Sequence, residues 1–207
     1  MAIGKPALET PSIPARSRPD PYDRPSYRWY ALSILLIVYI FNFIDRSILS
    51  ILNQVVKEAL GVSDTLMGFL GGPAFAVFYT FMGIPVARIA DRSNRRTLLS
   101  VCLAVWSLMT AVCGLAQSYF QLFLARVGVA VGEAGGSPPA HSMISDMFPA
   151  DQRATALAIY SLGIPIGTML GSLAGGFLNT AFDWRTAFMV VGLPGVAMAV
   201  LVQLTLA

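Results

Sequence analysis

Six apolar runs dominate the sequence, at about 30–52, 66–90, 97–116, 119–144, 154–178 and 185–206. A helix needs roughly 20 mostly apolar residues to cross the hydrocarbon core of a bilayer. Each run reaches that length, and the short links between them make neighbouring spans antiparallel. Only 12% of the 207 residues are charged and 56% are hydrophobic, whereas soluble domains are about 25% charged. The expected class is therefore an all-α membrane protein with six transmembrane helices.

The remaining composition narrows the function. The formal net charge is only +3 and the basic residues lie in the links, which argues against a nucleic-acid partner. Cys102 and Cys113 share one apolar run, so they read as small buried thiols rather than a disulfide or a metal set. Residues 1–28 hold six of the thirteen prolines with four scattered arginines. Such a segment cannot bury a core and reads as a disordered tail. It lacks the short apolar core and cleavage site of a signal peptide.

Lys and Arg set the expected sidedness. The tail carries Lys5, Arg16, Arg18, Arg24 and Arg28; the second link carries Arg88, Arg92, Arg95 and Arg96; the fourth carries Arg153. The opposite side has only Lys57 and Arg185. Positive loops stay in the cytoplasm, which puts the N-terminus inside and both ends of the chain on that side. The abrupt stop after the sixth run reads as a truncation. Trp29, Tyr30, Tyr119 and Trp184 stand at run ends, where amphipathic rings prefer the interface. In the fifth run Gly163, Gly167, Gly171 and Gly175 recur every four residues, a small-residue face for close helix packing.

Four ionisable residues lie deep within spans: Asp45, Arg46, Arg126 and Glu133. A charge at that depth costs about 2.5–3.5 kcal/mol on insertion scales, so such groups pair and face a cavity. Asp45 and Arg126 each fall about seven residues from the outer end of their span. Both would thus lie roughly 10 Å below the outer surface and could meet. Glu133 lies two turns deeper, where it suits a proton carrier, with Asp45 the second candidate. Asp45 and Arg46 are about 100° apart around the helix, so they need not serve one another.

The fourth run continues through Gly135, Gly136, Pro138 and Pro139. These residues imply either a simple kink or a broken helix that lines a binding site. His141 beyond them is a packing residue by default and an accessory proton group at most. The second link reads ARIADRSNRR. Positive-inside anchoring explains its arginines, but not Asp91, nor Asp146 at the end of the fourth run. Arg95 or Arg96 reaching Asp146, with Asp91 at a helix N-terminus, would make a conformational latch. Asn94 sits where a tight turn would need positive φ.

The same ten residues resemble the loop signature of the major facilitator superfamily, Gly-x-x-x-Asp-Arg-x-Gly-Arg-Arg. Asp91, Arg92, Arg95 and Arg96 match; Ala87 and Asn94 replace its glycines. RVGVAVGEA, residues 126–134, resembles the family's fourth-span signature through Arg126 and Gly132. Within the superfamily the chain looks most like the spinster branch. That likeness rests on Asn42, Asp45 and Arg46, on Gly132, Glu133 and Ala134 with Pro139, and on Ile144, Asp146, Phe148, Ala150, Asp151, Gln152 and Arg153. The resemblance implies the N-terminal six-helix bundle of a two-bundle, alternating-access fold. Its cavity charges map onto Asp45, Arg46, Arg126 and Glu133, with Asn42 as an accessory. Lipid-like cargo such as lysophospholipids or sphingosine phosphate, and proton coupling, come with that branch.

The expected function is thus secondary active transport of an amphipathic organic anion, driven by protons, in a bacterial cell membrane. Asp91, Arg92, Arg95, Arg96, Asp146 and Arg153 would form the latch. Membrane lipids, the substrate, protons and a second six-helix half are the expected partners. A symporter of small organic anions such as sugar acids is the alternative, and a non-transporting receptor or scaffold the different class. The chain carries no phosphate-binding glycine loop of the nucleotide-hydrolase type and no legible nucleophile–base pair. An ATP-driven pump and an enzyme are therefore not expected, nor is a cofactor.

Overall fold

A computed structural model describes residue 22 and residues 24–90 and 93–206. These form helices and no strand. In chain order they are α1 (Pro25–Leu60), α2 (Asp64–Phe69), a π-helical turn (Leu70–Ala74), α3 (Phe75–Ala90), α4 (Arg95–Cys113), α5 (Tyr119–Ala134), α6 (Ser137–Met147), α7 (Ala150–Ser161), α8 (Gly163–Ala181) and α9 (Trp184–Thr205). Four continuous helical stretches besides α4 are interrupted or extended relative to the apolar runs, and each departure has a local cause.

The first helix starts earlier and ends later than its run. Pro25 opens it, because proline's fixed φ suits a first turn and its missing N–H needs no partner there. The expected tail therefore stops short of residue 25; nearly all the rest of it lies outside the described residues. At the far end the helix outlasts its apolar part by two polar turns. Gln54 donates to Glu58, and Lys57 pairs with Asp64 at 2.7 Å. Gly61 then closes the helix at φ 63°, a left-handed conformation that glycine adopts without strain.

Three of the other runs are divided. Gly71, Gly72 and Pro73 produce the π-helical turn between α2 and α3. Gly135 and Gly136 separate α5 from α6, whose first turn holds the prolines. Pro165 crowds the carbonyl of Ser161, and α7 gives way to α8 at Leu162. Five helical stretches are long and apolar enough to cross a membrane: 25–60, 64–89, 95–113, 150–181 and 184–205. The remaining crossing is shared by α5 and α6, neither of which is long enough alone. With it, the expected six-helix bundle is complete.

Packing orders the bundle. The helix α4 lies against α9 and α5, α1 lies against α8, and α3 lies against α5. The glycine face of α8 is what admits α1. Gly163, Gly167, Gly171 and Gly175 on that face are buried, and a Cβ on Gly167 would stand 2.6 Å from the Ile40 carbonyl oxygen. Trp106, Leu99 and Leu103 fill the centre of α4. Asn94 is not in a left-handed turn: its φ is −65°, and its side chain accepts from Thr97 N at 3.2 Å. It caps the N-terminus of α4, because capping satisfies an otherwise orphaned helix donor.

Candidate functional site

The four intramembrane charges converge between α1 and α5, but not in the expected pairs. Arg46 Nε donates to Glu133 Oε2 at 2.6 Å. Asp45 turns instead toward α4, where its Oδ2 accepts from Thr110 Oγ1 at 3.3 Å. Among the described residues no Asp45–Arg126 ion pair is present. Helix ends alter the depth count. Because α1 runs to Leu60, Asp45 lies fifteen residues from its end, whereas Arg126 lies seven from Tyr119. Arg46 is fourteen residues before Leu60 and Glu133 fourteen after Tyr119. At 1.5 Å per residue these two share a depth of roughly 21 Å from their helix ends.

Burial separates the neighbours Asp45 and Arg46. Asp45 is 1% exposed, while the Arg46 side chain retains 32% of its surface. One therefore belongs to the bundle interior and the other to its open face. Aromatic rings surround the Arg46 guanidinium: its Cζ stands 5.3 Å from the Phe43 centroid, 5.3 Å from Phe75 and 5.0 Å from Tyr79. Such rings attract a cation through their negative faces. Arg126 is 4% exposed and also stands over Phe75, at 5.3 Å. Its Nε and Nη1 are buried without a hydrogen-bond partner, as are Asp45 Oδ1 and Glu133 Oε1. Asn42, also buried, reaches the Glu133 carboxylate.

This is a cluster of two acids and two bases, three of the four buried, with donors to spare on one arginine. The profile of the major facilitator superfamily matches residues 35–207. The chain belongs to the major facilitator superfamily. An MFS-type efflux pump of Mycolicibacterium smegmatis is 41% identical over 180 residues, which cover 87% of this chain and 42% of that protein. A probable L-galactonate transporter of Escherichia coli is 28% identical, over 82% of this chain and 37% of that protein. Among solved structures, a bacterial homologue of the human lysosomal transporter spinster, in an inward-facing and occupied conformation, is 40% identical with a TM-score of 0.83. That match covers 89% of this chain and 45% of the other. The chain thus spans less than half the length of these relatives, and within the superfamily it is spinster-like. The superfamily consists of transporters, not enzymes.

The superfamily's loop signature is only partly within view. Asp91 and Arg92 lie outside the described residues. Arg95 forms an ion pair with Asp146, joining α4 to the end of α6. Arg96 does not reach Asp146; its Nη1 donates to the Leu206 carbonyl at 2.8 Å, at the end of α9. Arg153 Nε donates to the Phe148 carbonyl at 2.9 Å, which closes the α6–α7 link. His141 is exposed and packs edge-on against Tyr160, with centroids 5.4 Å apart.

Of the uncharged members of the site, sequence reasoning named Asn42 but missed Phe43, Phe75, Tyr79 and Thr110. A buried charge stands out in an apolar run, whereas an aromatic or a threonine does not. One signal was available. Phe75 and Tyr79 are four apart after Gly71-Gly72-Pro73, which puts both rings on one face of the helix restarted beyond the break.

Proposed function

We propose that this chain forms the cavity-lining six-helix half of a proton-driven secondary transporter for an amphipathic organic anion. The supporting observation is Arg126, a buried guanidinium with two unpartnered donors beside the Arg46–Glu133 pair. A buried charge is costly unless paired and hydrogen-bonded. An anionic head group on Arg126 would supply the missing acceptors. Glu133 is the proton carrier. Protonation would release Arg46 to the substrate, and deprotonation would recapture it, so proton and anion would load and leave together. Asp45 is the second protonatable group, set back against α4. A second six-helix half, surrounding membrane lipids and protons are the partners. A bacterial cell membrane with the N-terminus inside is the setting.

The experiment is uptake into proteoliposomes by the complete transporter. Glu133→Gln abolishes uptake driven by a proton gradient and spares anion exchange. A pH dependence unchanged in that variant removes Glu133 from the role, and absence of any gradient-driven uptake by the unaltered protein defeats the transport reading itself. A second reading, symport of small organic anions such as sugar acids, is favoured by the likeness to the probable L-galactonate transporter. Competition separates them: a lysophospholipid inhibits uptake under the first reading, and a hexuronate does so under the second.

A further inference from the structure

The second span leaves α-helical register next to the charged site. Proline at position 73 cannot donate to the carbonyl four residues back, and its ring crowds that carbonyl. The π-helical turn Leu70–Ala74 accommodates the crowding with an extra residue. Turns of this kind are rare and occur frequently at functional sites. One added residue rotates all that follows by about 100° relative to an uninterrupted helix. Phe75 is the first residue affected.

That rotation places a single phenyl ring against two like charges. The Phe75 centroid is 5.3 Å from the Cζ of Arg46 and 5.3 Å from the Cζ of Arg126. Tyr79, one turn further, stacks on Phe75 with centroids 6.0 Å apart. Arg46 has Glu133 as its counter-ion; Arg126 forms no direct ion pair among the described residues, and the Asp45 and Glu133 carboxylates act on it from a greater distance. With Nε and Nη1 unpartnered, Arg126 has the negative face of the Phe75 ring as a neighbour that attracts it. Leu70, Ala74, Phe123 and Val127 close the wall around the two groups.

We propose that Phe75 is a positioning residue. Its ring holds Arg46 and Arg126 at the separation across which an organic anion is bound, and the π-helical turn sets the ring there. This rests on the transport reading above. Reversion of the turn to α-helix swings Phe75 off both arginines and weakens anion binding, which couples the shape of the second span to the affinity of the site.

The test replaces Phe75 with ring-fluorinated phenylalanines in the complete transporter. Fluorination drains charge from the ring face at nearly constant volume. In proteoliposomes the KM for a lysophosphatidylglycerol probe rises stepwise with fluorine number, by roughly tenfold at three fluorines, while kcat is retained. Phe75→Tyr keeps KM within about twofold, and Phe75→Leu matches the trifluoro form. A flat KM across the fluorine series overturns the proposal, whatever Phe75→Leu does, because packing alone then accounts for the residue. A second measurement does not depend on transport. In 15N-arginine-labelled protein the Nε–H resonances of both Arg46 and Arg126 move when Phe75 becomes Leu, since both lose the ring current. If Arg126 does not move, the placement is wrong. If the unaltered protein carries no flux of the probe, the transport reading fails and the resonances alone decide the placement of Phe75.

Discussion

Arg46 and Glu133 form a pair that depends on both members. The Glu133 side chain is 0% exposed, so removing Arg46 takes the directly paired counter-charge from a buried carboxylate. Breaking a buried pair from one side costs about 3–5 kcal/mol, whereas replacing both with apolar groups of similar volume is often neutral. Arg46→Leu should therefore destabilise the protein by about 3 kcal/mol, and Arg46→Leu/Glu133→Leu should recover most of that loss. Thermal melts of the unaltered protein, Arg46→Leu, Glu133→Leu and the double variant in detergent measure the coupling; additive losses would show that the two groups do not act as a pair. The four charges themselves were legible in the sequence, because each is costly in an apolar run. Their pairing was not, because depth depends on where the helices end. The two polar turns after Leu52 look like a link, yet they continue α1 to Leu60 and change the depth count on which the Asp45–Arg126 pairing rested.

Helix ends and breaks decide the same question at the scale of elements. The glycine face of α8 and the division of the fourth span at Gly135–Gly136 both follow from residues visible in the sequence. The π-helical turn of the second span does not, since Gly71-Gly72-Pro73 equally permits a kink or a stop. Asn94 shows how one residue type supports two readings: asparagine tolerates left-handed backbone, and it also ranks among the best N-caps. The structure uses it as a cap on Thr97. Asn94→Ala should then cost about 1 kcal/mol and Asn94→Asp should cost little. Had the residue occupied a left-handed turn, glycine would be the preferred replacement and would stabilise. Chemical denaturation of the three variants at neutral pH distinguishes the cases, and a stabilising Asn94→Gly contradicts the cap.

For the whole molecule the main consequence is that Arg95 and Asp146 lie on the same bundle. A contact between α4 and α6 does not break when one bundle rocks as a rigid body against another. Its reach is local: it fastens α6, the half-span beyond the Gly135–Gly136 break, to the body of the bundle. The side chains are 40% and 55% exposed, and exposed pairs contribute up to about 1 kcal/mol. Loss of the pair therefore shifts an open–closed equilibrium of α6 by no more than about fivefold. His141 reports that motion, because it is exposed on α6 and stacks edge-on against Tyr160 of α7. In a His141→Cys variant, modification by a membrane-impermeant thiol reagent should accelerate about two- to fivefold when Asp146 becomes Asn. Cys102 and Cys113 are buried and contribute little background. The charge-swapped form, Arg95→Asp with Asp146→Arg, should return the rate toward its starting value, and molar salt should mimic Asp146→Asn in the unswapped protein. An unchanged rate in Asp146→Asn would mean that α6 is held by its apolar contacts through Met143, Ile144 and Met147, leaving the arginines of this link to anchoring alone.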